Sequence, residues 1–166
     1  MRKRASAAQR EPIKPRSESL LSQAIEVATL AHDGITDRKG RPYILHVMEV
    51  AMEAKTTEEF IVGMLHDVLE HSNGRVTAKD LVDMYFPPAV VEAVVSLTKR
   101  NEGLLEERWE DYISRVAEHP LTLRVKLRDI ESNMELLRSS IIEAADAERM
   151  ERYISARERL LLLMEE

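Results

Sequence analysis

Apolar residues recur at intervals of three and four along most of the chain, which is the spacing of one buried helix face. The alternation typical of a half-buried strand is scarce. The first helical run follows Ser17 and Ser19, either of which could cap free backbone amides, and it stops at Gly34. The pattern predicts an all-α protein whose first helix buries a stripe that contains Leu21, Ala24, Ile25 and Ala28.

Capping residues, prolines and glycines divide the rest of the chain into further helices. The loop DGITDRKGRP precedes a second helix at about residues 44–54, and Thr56 or Thr57 with two glutamates starts a third. This third helix is expected to continue without interruption to about His71. The last helix ends in the run LLLL, which is expected to pack in the core, with a homodimer interface as the alternative. Other helices are predicted at about residues 77–85, 88–98, 107–118, 120–137 and 142–165.

Length, charge and composition restrict the classes of protein. The chain has 166 residues, a formal net charge of −6 and no cysteine. A chain of this length can form one domain with its own core. Its negative charge disfavours nucleic acid and anionic membranes as partners, and no apolar run reaches the roughly 18 residues of a membrane span. Without cysteine, any metal has to be held by His, Asp or Glu.

The N-terminal residues 1–16 are basic and lack helical apolar spacing. We interpret them as a flexible basic arm that precedes one domain over residues 17–166. Contact with nucleic acid or a role as a targeting peptide are the alternatives for this arm. The arm has no apolar middle region of a secretion signal, and a cysteine-free chain suits a reducing compartment, so we expect a cytoplasmic protein.

Polar residues interrupt the apolar third helix in the stretch MLHDVLEH, residues 64–71. His66 and Asp67 would lie about 100° apart around the helix axis, so both could reach a metal ion between them. Glu70 follows one turn along, where its carboxylate could hold or deprotonate a water on that metal. A hydrogen-bonded core histidine beside a capping aspartate explains the doublet at least as well, so a metal site requires further ligands.

Two other stretches supply candidate ligands. His46 lies near the start of a helix in RPYILHVMEVA, and Asp129 lies among apolar neighbours in VKLRDIESNM that predict partial burial. Two imidazoles and two carboxylates from three helices would suit a divalent ion such as Mn²⁺, Fe²⁺, Mg²⁺ or Zn²⁺, with positions left open for water and substrate.

Four motifs in order resemble the HD-domain phosphohydrolases, in the branch of RelA/SpoT-type and small stand-alone alarmone hydrolases: AHDGITDRKGRPYILHVMEVA, IVGMLHDVLEH, SLTKR and VKLRDIESNM. The resemblance covers about residues 20–135. It implies an HD-domain helical bundle and the metal ligands His46, His66, Asp67 and Asp129, with Mn²⁺ as the usual ion. It also implies hydrolysis of a nucleotide phosphate or pyrophosphate ester, the best-known case being loss of the 3′-pyrophosphate from (p)ppGpp.

The acid pair of this family is altered. In the family pattern HDxxED two acids handle the attacking water, whereas here Glu70 is followed by His71. We predict that Glu70 and His71 are the catalytic pair, because an imidazole can exchange a proton near neutral pH. The alternative function is a degenerate HD domain that binds a nucleotide or a protein partner without hydrolysis. The sequence leaves no room for a nucleotidyl-transfer domain, so synthesis of (p)ppGpp is not expected.

Substrate-binding positions also follow from the resemblance. Arg38 and Lys39 are shifted by one residue from the basic pair that grips guanine in the family, and Lys99 lies in SLTKR. We expect these cations to offset phosphate charge. The family motif LADRxHN is LRDIESN here, which keeps Asn133 for the ribose or the reactive phosphate and has Ser132 in place of a histidine. A nucleotide or another phosphorylated small molecule is the implied ligand.

Overall fold

The structure of the protein is a computed structural model, which describes residues 19–102, 105–138 and 144–165. Most of these residues lie in helices. One short antiparallel ladder in these ranges joins β1 (Asn101–Glu102) to β2 (Leu105–Glu106). The predicted all-α class is confirmed, while the predicted arm at residues 1–16 lies outside the described residues. The helices are α1 (Leu20–Ala31), α2 (Ile44–Met52), α3 (Thr57–Leu65), α4 (Val68–His71), α5 (Ala78–Asp83), α6 (Pro88–Leu97), α7 (Trp109–Ala117), α8 (Pro120–Arg138) and α9 (Ala144–Met164).

Local sequence signals account for several helix starts. The hydroxyl of Thr56 accepts a hydrogen bond from the backbone N–H of Glu59 at the start of α3. Thr77 and Asp80 form a reciprocal capping box at the start of α5. Ser19 stands in an extended conformation before α1, but its side chain makes no capping hydrogen bond.

The prediction of an uninterrupted third helix is wrong. The α3 helix ends at Leu65 and α4 begins at Val68, so that His66 and Asp67 form a turn between them. The backbone of Asp67 has φ −109° and ψ 0°, which departs from helical geometry. Successive side chains of a regular helix diverge by about 100°. The turn instead brings His66 Nε2 to 3.4 Å from Asp67 Oδ2.

The central helix of the bundle is α3, which packs against α1, α2, α6 and α8. Gly63 on α3 faces Ala51 on α2, and a Cβ at Gly63 would lie 2.8 Å from the Ala51 Cα. The missing side chain therefore permits the close approach of two helices. These helices position the candidate ligands His46, on α2, and His66, at the end of α3.

We expect Gly63→Ala to destabilise the protein by about 1 to 3 kcal/mol, the usual cost of overpacking a core. The added methyl group would meet the backbone of Ala51, which cannot rotate away as a side chain could. Chemical denaturation measures the free energy of unfolding. The control is Val95→Ala on α6, where a 45% exposed side chain is shortened. A Gly63→Ala protein as stable as this control would contradict the close packing of α2 on α3.

The C-terminal helix contributes to the core through one face. Leu160 is fully buried, as expected for core packing, whereas Leu162 is 66% exposed. Within the described residues, the structure has no helix that is both long enough and apolar enough to cross a membrane.

Candidate metal centre

The structure brings together the four side chains that the sequence suggested as metal ligands. His46 comes from α2, His66 and Asp67 from the turn after α3, and Asp129 from α8. Asp129 Oδ1 lies 3.2 Å from His46 Nε2 and 3.8 Å from His66 Nε2, which is itself 3.4 Å from Asp67 Oδ2. Donors about 2.1 Å from one ion and about 100° to 130° apart would be separated by about 3.2 to 3.8 Å. The observed separations fit a single cation.

Both histidines of this centre present a nitrogen with no hydrogen-bond partner among the described residues, the buried Nε2 atom. Their other ring nitrogens are engaged: His66 Nδ1 lies 2.7 Å from the Gly63 carbonyl oxygen, and His46 Nδ1 lies 3.0 Å from Ser132 Oγ. A neutral imidazole that donates from Nδ1 carries its lone pair on Nε2. Metal-ligating histidines have this arrangement, because a second partner fixes the tautomer and the ring.

Ser132 and Glu49 fix the orientation of His46. The Ser132 hydroxyl has one hydrogen, which it donates to Glu49 Oε2 at 3.0 Å. It must therefore accept a hydrogen bond from His46 Nδ1. The chain of contacts assigns the Nδ1–H tautomer to His46 and directs the Nε2 lone pair toward Asp129. The replacement of the family histidine by Ser132 thus gives this centre a polar support that the sequence did not reveal.

We expect Ser132→Ala to weaken cation binding by about 10- to 100-fold, the usual effect of removing the group that orients a ligating histidine. Titration of the metal-depleted protein with Mn²⁺ measures the affinity, and ¹⁵N NMR of the imidazoles reports the tautomer. Ser132→Thr keeps the hydroxyl and should keep the affinity. Equal affinities for Ser132→Ala and the unchanged protein would contradict the positioning role.

Lys126 is a site residue that was not predicted from the sequence. Its ammonium group lies 2.7 Å from Asp129 Oδ2, and its side chain is only 12% exposed. The ammonium also lies 4.9 Å from the ring centre of Tyr112 and 5.6 Å from that of Trp109, which are cation–π distances. The signal was present in VKLRD, because a lysine three residues before an aspartate lies on the same helix face.

Opposite charges control protonation in this centre. Burial lowers the pKa of the His66 imidazole, but the carboxylates of Asp67 and Asp129 outweigh burial and raise this pKa to about 9. Burial raises the pKa of the Asp129 carboxyl, yet the Lys126 ammonium and the neighbouring imidazoles hold that pKa well below its usual range. The carboxylates therefore favour positive charge at their centre, whether a proton or a cation supplies it.

Tyr43 borders the centre on the side of Asp67. Its hydroxyl donates a hydrogen bond to Asp67 Oδ2 at 2.5 Å, and its ring centre lies 5.2 Å from that of His46. Burial and the Asp67 charge raise the pKa of the Tyr43 phenol, so the phenol keeps its proton and remains a donor. Tyr43 was not among the site residues predicted from the sequence.

Glu70 and His71, the predicted catalytic pair, adjoin the same carboxylate. Glu70 is exposed, and its Oε1 accepts a hydrogen bond of 2.7 Å from the backbone N–H of Lys99. His71 is half-buried, with its ring centre 4.8 Å from that of Tyr43. Asp67, Glu70 and His71 each offer a ligand atom, and these atoms lie within 4.8 Å of one another.

The predicted substrate-binding residues lie in different surroundings. Asn133 donates hydrogen bonds to the Oδ1 atom and the backbone carbonyl of Asp129, at 2.6 and 2.9 Å, and so joins the centre directly. The backbone N–H of Lys99 donates a hydrogen bond to Glu70.

The guanidinium of Arg38 instead forms two hydrogen bonds, of 2.5 and 2.9 Å, to the buried Asp146 of α9, while Lys39 is exposed in the same loop.

Two known proteins are similar to this chain in sequence. Over 101 residues the chain is 36% identical to the guanosine-3′,5′-bis(diphosphate) 3′-pyrophosphohydrolase of Vibrio cholerae serotype O1, a match that covers 58% of the chain and 14% of that protein. Over 131 residues it is 27% identical to the protein of the same name from Aquifex aeolicus, covering 74% of the chain and 18% of that protein. The matches span less than a fifth of either relative, and no protein-family model matches the chain.

A solved structure shares the fold. It is described as a metazoan ortholog of SpoT that hydrolyzes ppGpp and plays a role in starvation responses. Its TM-score with this protein is 0.71, over 91% of this chain and 87% of the other, at 19% sequence identity. The chain therefore has the helical fold of this SpoT ortholog, and its resemblance to the HD-type alarmone hydrolases is confirmed.

Proposed function

We propose that the protein is a metal-dependent phosphohydrolase that acts on a phosphate or pyrophosphate ester of a nucleotide, with guanosine-3′,5′-bis(diphosphate) as the leading substrate. One observation carries the proposal: the separations of 3.2 to 3.8 Å among two buried imidazoles and two carboxylates fit one cation. Two relatives named as 3′-pyrophosphohydrolases support the substrate class. The fold of a protein described as hydrolyzing ppGpp supports it as well.

His46, His66, Asp67 and Asp129 would hold the ion. A bound divalent cation lowers the pKa of a coordinated water and offsets negative charge on phosphate oxygens. A donor set that mixes imidazoles and carboxylates would accept Mn²⁺, Fe²⁺, Mg²⁺ or Zn²⁺. We propose Mn²⁺, because it is the ion that the resemblance to the HD-domain phosphohydrolases implies.

Glu70 would orient the attacking water and accept its proton. The carboxylate is exposed, so water and substrate can reach it. The backbone N–H of Lys99 fixes Oε1, which limits the rotation of the carboxylate. His71 lies beside this carboxylate and would pass a proton onward. The two residues would therefore serve as the base and its partner.

Substrate phosphates would meet the cations at the rim of the centre. Asn133 donates both amide N–H groups to Asp129, so its amide oxygen would accept a hydrogen bond from a ribose hydroxyl. Lys99 follows α6 beside Glu70, where its ammonium would bind a second phosphate.

Arg38 and Lys39 would bind the more distant part of the nucleotide. Because Asp146 holds the Arg38 guanidinium, phosphate binding by Arg38 would require that ion pair to open.

The test is a hydrolysis assay on a panel of nucleotides with Mn²⁺, including guanosine-3′,5′-bis(diphosphate), guanosine tetraphosphate isomers, GTP and GDP. We expect release of pyrophosphate from the 3′ position and no release by His46→Ala. The alternative function, binding without hydrolysis, is favoured by His71 in place of the family's second acid. Binding of Mn²⁺ and nucleotide without turnover would select that alternative. Binding of neither would overturn the hydrolase and the nucleotide-binding alternative.

A reducing cytoplasm remains our proposal for the protein's location, because the chain has no cysteine.

A homodimer remains a proposal for the C-terminal helix, where Leu162, Leu163 and Met164 are 66%, 38% and 45% exposed. Sedimentation of the purified protein tests it, with Leu162→Glu expected to yield a monomer.

A further inference from the structure

We propose that Asp67, Glu70 and His71 form a second divalent-cation site, that His32 supplies a fourth donor, and that the two sites share Asp67. The inference rests on the proposed function through Asp67, which is also a ligand of the first site, and it adds a cation to Glu70 and His71, which that function treats as a base and its partner. In this chain the family's second acid is replaced by an imidazole. That replacement turns an acid pair into a mixed donor set of the kind that Mn²⁺, Fe²⁺ and Zn²⁺ accept.

The first support is the mutual proximity of the donor atoms. One atom each from Asp67, Glu70 and His71 lies within 4.8 Å of the others, the same limit that His46, His66 and Asp67 meet. Donors on opposite sides of one ion would be separated by about 4.3 Å. The three donor atoms therefore lie close enough together to contact one cation after small side-chain adjustments.

His32 distinguishes this cluster from an ordinary group of surface acids. Its side chain is 2% exposed, and Nε2 has no hydrogen-bond partner in the part of the chain that the structure describes. Nδ1 lies 2.8 Å from the Ala28 carbonyl oxygen, to which it donates. The lone pair is therefore on Nε2. A buried acceptor without a donor costs free energy unless a cation or a water satisfies it.

The geometry of the His32–His71 pair repeats that of the first site. The ring centres of His32 and His71 lie 5.8 Å apart with an interplanar angle of 62°. The corresponding values for His46 and His66 are 5.6 Å and 68°. His32 and His66 also share the same support, a backbone carbonyl on the preceding helical turn that receives the Nδ1 hydrogen. Each site would thus combine two imidazoles with carboxylates.

Asp67 is placed to join the two sites. Its Oδ2 atom lies 3.4 Å from His66 Nε2 in the first site, and the same residue belongs to the cluster with Glu70 and His71. Two-metal hydrolases hold their ions about 3.5 to 4 Å apart and use them to stabilise the attacking and leaving oxygens. A shared carboxylate would produce that spacing here.

The test measures metal content and magnetic coupling without any need for turnover. The full chain is depleted with a chelator, reloaded with Mn²⁺ and desalted, and the bound manganese is counted by elemental analysis. We expect two equivalents per chain in the unchanged protein, with an electron paramagnetic resonance spectrum of a spin-coupled pair. His71→Ala and His32→Ala should each bind about one equivalent and give the spectrum of isolated ions.

Two variants serve as controls. His119→Ala removes an exposed imidazole after α7 and should retain two equivalents. His71→Asp retains a ligand atom at that position and should also retain two equivalents. One equivalent in the unchanged protein, or two in His71→Ala, would overturn the second site. If His32→Ala or His71→Ala does not fold, the spectrum of the unchanged protein still decides between coupled and isolated ions.

The result separates this inference from the proposed function. One equivalent together with nucleotide hydrolysis would leave the hydrolase intact and remove the second site. Two coupled equivalents without hydrolysis of any nucleotide would establish the second site and reject the hydrolase.

Discussion

Asp129→Asn should abolish cation binding at the first site and lower kcat/KM by about 1,000-fold or more, because it removes a charged ligand on which the reaction depends. Asp129 Oδ1 faces both histidines, at 3.2 Å from His46 Nε2 and 3.8 Å from His66 Nε2. An amide of the same shape offers a neutral oxygen or an N–H group there. Neither replaces a carboxylate beside a divalent ion.

The same change should also destabilise the metal-free protein. Lys126 would lose the carboxylate that lies 2.7 Å from its ammonium, in surroundings where its side chain is 12% exposed. Leaving a buried charge without its partner costs about 3 kcal/mol or more. The double variant Asp129→Asn, Lys126→Met removes the stranded charge and should recover most of this stability without recovering Mn²⁺ binding.

These two effects have separate measurements. Chemical denaturation in the presence of a chelator gives the stability of each variant, and titration with Mn²⁺ gives its affinity for the ion. Asp111→Asn, an exposed change on α7, is the control and should leave both properties unchanged. If Asp129→Asn bound Mn²⁺ with undiminished affinity, Asp129 would not be a ligand.

The sequence was sufficient to predict the helical class and to suggest the four candidate ligands. Helical spacing and capping residues such as Thr56 are local signals, so they can be recognised without knowledge of the tertiary structure. The candidate ligands could be predicted for a different reason. His66, Asp67 and Asp129 are polar residues inside apolar runs, where burial of a polar group without a partner costs free energy.

The turn at His66 and Asp67 could not be predicted, because the apolar spacing continues across it from Phe60 to Leu69. What accompanies the turn is a set of contacts made in three dimensions. The Tyr43 hydroxyl holds the Asp67 carboxylate, and the Gly63 carbonyl holds the His66 ring. A residue 24 positions away in sequence thus contributes to the direction of a ligand.

Polar contacts between residues far apart in the sequence could not be predicted either. Arg38 was expected at a phosphate, but its guanidinium is paired with Asp146, which is 108 positions away. Ser132 looked like the loss of a family histidine, yet its hydroxyl links His46 to Glu49. Residue types at single positions do not reveal such pairings, because each depends on where two distant segments of the chain meet.

Glu70→Gln should lower kcat by about 100- to 10,000-fold, the usual contribution of a positioned general base. The substitution keeps the shape of the side chain, and the amide oxygen can still accept the hydrogen bond from the Lys99 backbone N–H. It removes the negative charge and the basicity that proton transfer from water requires. Substrate KM should change little, because Glu70 is not expected to bind the nucleotide.

The loss could arise from proton transfer or from a missing second cation, and the dependence on Mn²⁺ separates the two causes. If Glu70 acts only as a ligand of the second ion, a large excess of Mn²⁺ should restore much of the activity of Glu70→Gln. If it acts as the base, the activity stays low at every Mn²⁺ concentration while the first site still binds its ion. Glu92→Gln, an exposed change on α6, is the matched control and should retain full activity. A kcat for Glu70→Gln equal to that of this control would remove Glu70 from the reaction.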